Sequence, residues 1–167
     1  IEGPVLAVGG HLKNTVALLD GDHVLLSQHL GDLSTLETEY AVRQAIEDLQ
    51  WLLQVKPCAV ACDLHPDYRS TRLAEELAGR WDVPLIRVPH HHAHVAACMA
   101  EHGVTGEVLG IAWDGSGYGT DGSLWGGEFL LATYRECVRV ANRHTCRLTG
   151  GEHAASEPRR AASAALS

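Results

Sequence analysis

Apolar and polar positions alternate in short runs at the start of the chain and then settle into a helical rhythm. Val5 to Val8, Thr15 to Leu19 and His23 to Ser27 read as three short strands, the last two joined by the turn Asp20-Gly21-Asp22. From Thr35 to Val55 apolar residues (Tyr40, Ala41, Ile46, Leu49, Leu52, Leu53) recur at helical intervals, with Ser34 or Thr35 as N-cap and Pro57 closing the segment. A buried strand at Ala59 to Cys62, a polar loop from Asp63 to Tyr68 and a helix from Ser70 to about Arg80 follow. Next come a strand at Val83 to Val88 and an Ala-rich helix from His91 to about Glu101, ended at His102-Gly103. Three strands, helix, strand, helix, strand, helix predict an α/β lobe: a mixed sheet with right-handed crossovers and covering helices, spanning residues 1–104.

After Gly106 the pattern restarts. Val108 to Trp113 reads as a strand, Asp114 to Gly122 as a glycine-rich turn, and Leu124 to Thr133 and Val138 to Arg143 as two further strands. The sequence then runs through Glu157-Pro158-Arg159-Arg160 into an Ala/Ser-rich helical start. Residues 105–167 are therefore expected to be the incomplete beginning of a second lobe.

Composition narrows the function. At 167 residues with 46% apolar content the chain can build a core without metal or disulfide staples. A net charge of -8 argues against a nucleic-acid groove, which needs clustered cations. No apolar run approaches a membrane span and no signal core opens the chain, so a soluble, cytoplasmic protein is expected. Cys58, Cys62, Cys98, Cys137 and Cys146 form an odd set, which suits a reducing compartment, with Cys58 and Cys62 bracketing a buried strand as structural cysteines. The 11 histidines set against one phenylalanine point towards metal or proton chemistry.

Pro89-His90-His91-His92-Ala93-His94 is the strongest local signal. Side chains four apart on a helix share a face at a separation that lets two imidazoles grip one ion. His90 and His94 meet that spacing, His91 and His94 meet the looser three-residue one, and a cluster bonded only to backbone stays open as the plain alternative. A third ligand is needed, and Asp114 offers it at a strand end before Gly115-Ser116-Gly117-Tyr118-Gly119, where backbone N–H groups suit an anion; a simple Asp-Gly hairpin turn is the competing reading. Gly9-Gly10-His11-Leu12-Lys13-Asn14-Thr15 carries Lys13, one of two lysines, and suits a phosphate oxygen, although an ordinary hairpin explains it as well. The loop His65-Pro66-Asp67-Tyr68 follows a buried strand end, where pockets form and where a capped turn is equally at home. Trp113 and Trp125 read as core aromatics.

Six ordered blocks carry a resemblance. They are Gly9 to Thr15, Ser27 to Leu33, Asp63 to Tyr68, His90 to His94 with Ala96 to His102, Asp114-Gly115, and Leu124-Trp125-Gly126-Gly127-Glu128-Phe129. Together they resemble the HypF family of carbamoyltransferases in nickel-iron hydrogenase maturation, over nearly the whole chain. The resemblance implies an actin-like, ribonuclease H-like two-lobed carbamoyl-transfer domain, as also found in tRNA threonylcarbamoyl-adenosine enzymes and antibiotic O-carbamoyltransferases. It implies that an upstream domain makes carbamoyl-adenylate from carbamoyl phosphate and ATP, and that this domain passes the carbamoyl group to the C-terminal cysteine of HypE for the cyanide ligands.

His90, His94 and Asp114 match the family's metal ligands, for iron or zinc, with magnesium also able to accompany the nucleotide. Gly10, Lys13, Asp114, Gly115 and Gly117 fall on the nucleotide side, and Lys13, Asp63 and His65 are the expected catalytic groups. The nucleophile belongs to the partner, so Cys98 is expected to be a helix-packing residue. The upstream domains and the rest of the second lobe, with a further metal-binding Asp, lie outside this sequence, which makes the isolated chain an expected inactive part of the enzyme. The alternatives are a non-catalytic metal-binding or partner-docking fragment, or a lobe of a related O- or tRNA-carbamoyltransferase.

Overall fold

The first three strands exist because short apolar stretches alternate with turn residues, and each pairs with its sequence neighbour. In the computed structural model, which describes residues 2–145 and Arg159, β1 (Val5–Ala7) pairs antiparallel with β2 (Ala17–Asp20), and β2 with β3 (His23–Leu26). β4 (Ala59–Asp63) adds in parallel beside β1, and β5 (Leu85–Val88) in parallel beside β4. The resulting five-stranded sheet has the order β3-β2-β1-β4-β5. It is the mixed sheet that the sequence predicts, and the parallel pairs require the intervening helices as connections.

α1 (Leu36–Leu53) begins where the Thr35 side chain accepts the Thr38 N–H at 3.3 Å, and stops at Gln54, which turns left-handed. Its buried stripe is Val42, Ile46 and Leu49. Tyr40 and Leu52, which the helical rhythm places among the apolar set, face solvent instead, because a stripe of this period is only about 100° wide and they fall off its edge. α2 (Arg69–Trp81) contributes Leu73, Ala74, Leu77 and Ala78 to the same core, against Leu6, Val8, Leu18, Val60 and Cys62. Burial pushes the Cys62 thiol pKa up to about 11, so it stays protonated as a core group.

Packing divides the chain into two compact units, Ile1–Val88 and Pro89–Ser167. In the second, α3 (His90–Glu101) lies on an antiparallel sheet of β6 (Val108–Tyr118), β7 (Leu124–Ala132) and β8 (Cys137–Asn142), in that order. Val95 and Met99 meet Ala112, Trp125, Leu130 and Ala132. The opposite face of the sheet exposes Leu109, Ile111, Trp113, Leu131, Val138 and Val140.

Three expectations are corrected here. β6 does not end at Trp113 but runs to Tyr118, with a register shift between Trp113 and Gly117, and the tight turn falls at 119–123. Gly117, which reads locally as part of a turn, serves as a strand position over which α3 passes closely. Trp113 is exposed because it alternates along β6 with the inward-facing Ala112, whereas Trp125, on β7, packs into the core with Ala112 and Leu130. Cys98 is exposed on α3 and does not pack. Among the described residues Cys58, Cys62, Cys98 and Cys137 are free thiols; Cys146 and, Arg159 apart, the Ala/Ser-rich C-terminal segment lie outside the described residues.

Beneath α3 lies a polar network. Glu128 is 2% exposed, accepts Arg139 Nε at 2.6 Å and Arg139 Nη2 at 3.0 Å, and accepts the Gly126 N–H at 3.0 Å. Arg139 also covers the Trp125 ring at 4.7 Å, and the Trp125 indole donates to Asp121 at 2.9 Å. Removing one member of such a pair strands a charge away from water, which costs more than removing both. Arg139→Met is therefore expected to destabilise the chain by about 3 kcal/mol, and the double variant Arg139→Met/Glu128→Gln by less; urea midpoints at unchanged m-value check this.

Candidate functional site

α3 starts at His90, one residue earlier than the sequence rhythm indicates, because Pro89 with φ -60 has no N–H to bond and feeds directly into the first turn. His90 and His94 therefore stand one turn apart on one face. Their Nε2 atoms are 3.2 Å apart and the rings meet edge to face. Asp114 Oδ2 lies 2.9 Å from His90 Nε2 and 3.5 Å from His94 Nε2. All three belong to the second unit.

Alternation along β6 puts Ala112 and Asp114 towards α3 and Trp113 away from it, and the register shift between Trp113 and Gly117 then brings Gly117 to the same face, against the first helical turn. A Cβ at Gly117 would lie 2.6 Å from His91 Cε1 and 2.7 Å from His90 Cβ, so only glycine permits this approach. The spacing left open which imidazoles pair, and the structure brings together His90 and His94. His91 is fully buried against Gly117 and Trp125, and neither ring nitrogen completes a hydrogen bond of good geometry. His92 anchors α3 to the sheet, its Nε2 lying 2.7 Å from the Thr133 carbonyl oxygen.

Charge follows from this packing. Burial alone would raise the Asp114 pKa, but the Gly115 N–H at 2.6 Å and the charges of His90, His94 and His91 together hold it below the usual value. Burial lowers the His91 pKa, aided by the charge of His90, so the core imidazole stays neutral near pH 7. The donor set suits a divalent ion. Bonds of 2.0–2.1 Å at tetrahedral angles put donor atoms about 3.3 Å apart, and the observed 2.9, 3.2 and 3.5 Å bracket that value. Two imidazoles and a carboxylate fit iron and zinc alike.

The first unit gathers a second set. β1 and β4 run parallel side by side, so the loops after them leave the same sheet edge. Gly9 takes φ 71, and a Cβ there would strike the Thr15 carbonyl oxygen at 2.2 Å. Asn14 pins the loop from inside, donating to Val8 O at 2.8 Å and Gly10 O at 2.6 Å. Lys13 sits at φ 49, a left-handed conformation uncommon for its type, with its backbone N–H donated to Asp32 at 2.8 Å. In the other loop Asp63 accepts the His65 N–H at 2.8 Å, and His65 Nδ1 accepts the Asp67 N–H at 3.1 Å, which leaves Nε2 to carry the proton of a neutral ring. Tyr68 joins the loops, stacked on His65 at 4.1 Å and on His11 at 5.3 Å.

Each expected residue thus has a place. His90, His94 and Asp114 converge; Asp63 and His65 share one turn, and the Gly10–Lys13 loop meets that turn through His11 and Tyr68. Gly115 gives its N–H to Asp114, and Gly117 makes room for α3. Sequence reasoning gave no role to His11, Tyr68, Asn14 or the Glu128–Arg139 pair. Only the His11–Tyr68 contact joins residues far apart in the chain; the others depend on how the loops and the β7–β8 hairpin close, and the only local trace was that all but Arg139 fall inside motif blocks.

Comparison with known proteins shows the family and the fold. A family model described as the HypF Kae1-like domain matches residues 1–101, and one described as the second subdomain of the carbamoyltransferase Kae1-like domain matches residues 110–167. The chain is similar to carbamoyltransferase HypF2 of Cupriavidus necator, 51% identical over 165 residues, covering 98% of this chain and 20% of that protein. It is 47% identical to carbamoyltransferase HypF of Synechocystis, covering 97% of this chain and 21% of that one. Among solved structures, HypF of T. kodakarensis superposes with a TM-score of 0.92 at 41% identity, covering 99% of this chain and 22% of that one. Full-length HypF in a phosphate- and nucleotide-bound form gives 0.91 at 41% identity, over 98% and 21%. YeaZ from Pseudomonas aeruginosa, at 16% identity and a TM-score of 0.55 over 84% of this chain and 65% of that one, shares the fold alone. The architecture is thus α/β of the actin-like, ribonuclease H-like kind, and the chain spans about a fifth of the length of these HypF relatives.

The close approach at Gly117 yields a test that alters no ligand. Gly117→Ala is expected to weaken Zn(II) binding about 10- to 100-fold by displacing His90. Gly115→Ala, where an added Cβ meets nothing within 4 Å, should stay within about 2-fold, both read by calorimetric titration.

Proposed function

The chain belongs to the HypF carbamoyltransferase family, and from that premise we propose that it forms part of the domain that passes the carbamoyl group of carbamoyl-adenylate to the C-terminal cysteine of HypE. The adenylate would be made from carbamoyl phosphate and ATP elsewhere in the full-length cytoplasmic protein, and the product would serve cyanide-ligand synthesis in nickel-iron hydrogenase maturation. The observation that carries this reading is the convergence of His90, His94 and Asp114, whose ligand atoms all lie within 4.8 Å of one another. A solved relative that holds phosphate and nucleotide supports the adenylate as the species handled. On this reading residues 1–104 form the first lobe and 105–167 begin the second; the family models support that by meeting between 101 and 110. No described helix is long and apolar enough to cross a membrane, and the net charge of -8 speaks against a nucleic-acid substrate.

An iron or zinc ion held by His90 Nε2, His94 Nε2 and Asp114 would neutralise the adenylate phosphate and polarise its leaving oxygen, with magnesium free to accompany the nucleotide. The chain's own groups supply orientation. Lys13 brings a point charge for a phosphate oxygen, and Gly10, Asp114, Gly115 and Gly117 complete the nucleotide side of the proposal. Asp63 fixes the turn that holds His65, and on this reading His65 would orient the carbamoyl group by donating to its oxygen. In the transfer, the acceptor sulfur bonds to the carbamoyl carbon, the carbon–oxygen bond to phosphate breaks, AMP departs as an anion, and the thiol proton passes to solvent.

A second reading, a metal-binding or docking piece with no turnover of its own, is favoured by the chain's one-fifth share of its relatives' length. Carbamoyl-adenylate supplied with a peptide ending in cysteine separates the two. Within the full-length protein, His94→Ala is expected to slow transfer about 100-fold or more, and unchanged turnover would sink the catalytic reading. The isolated 167-residue chain is expected to bind Zn(II) without turning over.

A further inference from the structure

Tyr68 closes the Asp63 to Tyr68 block, and its ring touches both of the loops that follow β1 and β4. It lies flat on His65, with ring centroids 4.1 Å apart and planes 3° from parallel, and stacks on His11 at 5.3 Å and 21°. Its backbone belongs to the start of α2, where the Tyr68 carbonyl oxygen accepts the Arg72 N–H at 3.1 Å. The side chain does not cap the helix and reaches the two imidazoles instead. His11 is held in turn: its carbonyl oxygen accepts the Leu33 N–H at 2.9 Å, and two residues further on the Lys13 N–H is donated to Asp32. The Ser27 to Leu33 block, to which the proposed transfer gives no part, thus braces the loop on which His11 stands.

Aiming an imidazole takes two constraints. A hydrogen bond at one nitrogen selects the tautomer, but the torsion that turns the ring is soft, with broad wells. For His65 the first constraint is the Asp67 N–H, donated to Nδ1 at 3.1 Å, which puts the proton of the neutral ring on Nε2. The second is the face of Tyr68. With the rings this close and this nearly parallel, a tilt of His65 drives one edge of the imidazole into Tyr68 and lifts the other off it. An aliphatic side chain can fill the same space but offers no plane to lie on.

We propose that Tyr68 is a positioning residue for the transfer: its flat ring fixes the plane of His65, and so the direction of Nε2–H, and ties it through His11 to the loop that carries Lys13. The role acts through His65 and rests on the reading that His65 orients the carbamoyl group; the stack itself does not. What Tyr68 contributes is its face and not its hydroxyl.

Transfer from supplied carbamoyl-adenylate to a peptide ending in cysteine, in the full-length protein, tests the role. Tyr68→Leu is expected to lower kcat about 10-fold with the peptide KM within about 2-fold, because a misaimed group costs rate and not acceptor binding. Tyr68→Phe, which keeps the ring, should recover most of that loss; a Phe variant as slow as the Leu one overturns the proposal. In a His65→Ala background Tyr68→Leu should cost less than about 2-fold more, and a full loss there overturns action through His65. If His65→Ala itself transfers at the wild-type rate, the reading of His65 fails and the role of Tyr68 with it. If His65→Ala is slow and Tyr68→Leu is not, the role of Tyr68 fails alone. Proton NMR of the 167-residue chain reads the stack apart from turnover. Tyr68→Leu should move the His65 Cε1 proton downfield as the ring current is lost, and Tyr68→Phe should leave it in place; an unmoved signal in the Leu variant overturns the stack. Should the Leu variant lose the indole N–H signal of Trp81, at the far end of α2, Tyr68→Met replaces it in every arm.

Discussion

The second unit depends on how closely the first turn of α3 can approach β6. With no side chain at Gly117, the helix settles until His90 and His91 occupy the space a Cβ would need, and Gly110 allows the same approach beside Val95. That contact sets the height of His90 and His94 above the strand, alternation with Ala112 sets the direction of Asp114, and the bulge before Gly117 turns that glycine to the same face. The geometry of the three donors therefore follows from a steric condition at residues that donate nothing. Burial of His91 follows too, since the imidazole fills the gap left between glycine and tryptophan.

The sheet beneath must resist deformation if that approach is to hold, and it is stiffened by polar means. Glu128 is inaccessible to water yet fully engaged by Arg139 and the Gly126 N–H, and Arg139 covers the Trp125 ring that lines the His91 cavity. In the first unit Asn14 plays a comparable part, binding its loop to the end of β1 through two carbonyls. Both arrangements place a polar side chain held by directional hydrogen bonds where an apolar one would pack without fixing direction.

Much of this was legible in the residues. The order of elements followed from periodicity and punctuation, and Thr35 announced its own cap. Helical spacing and ligand chemistry offered His94 with His90 or His91 and Asp114 as a third donor, and the resemblance, not the spacing, chose His90. What stayed hidden depended on partners remote in sequence. Gly115 and Gly117 have the same local signature in a turn and in a strand, so β6 was read five residues short. Cys98, in an Ala-rich helix, looked like packing because its side of α3 cannot be known until the sheet is placed. Tyr68 between His65 and His11 needed the parallel pairing of β1 with β4, which no local window contains.

β6 serves two faces at once. Trp113 looks outward among Leu109, Ile111 and Val138, whereas its neighbour Asp114 looks inward at two imidazoles, so a single peptide unit separates the outer apolar wall from the carboxylate. Strand twist is shared by both faces, and any body that presses on the outer wall acts on the donor geometry through about 3.8 Å of covalent backbone. The wall and the carboxylate thus cannot be altered independently, and drift in one constrains drift in the other.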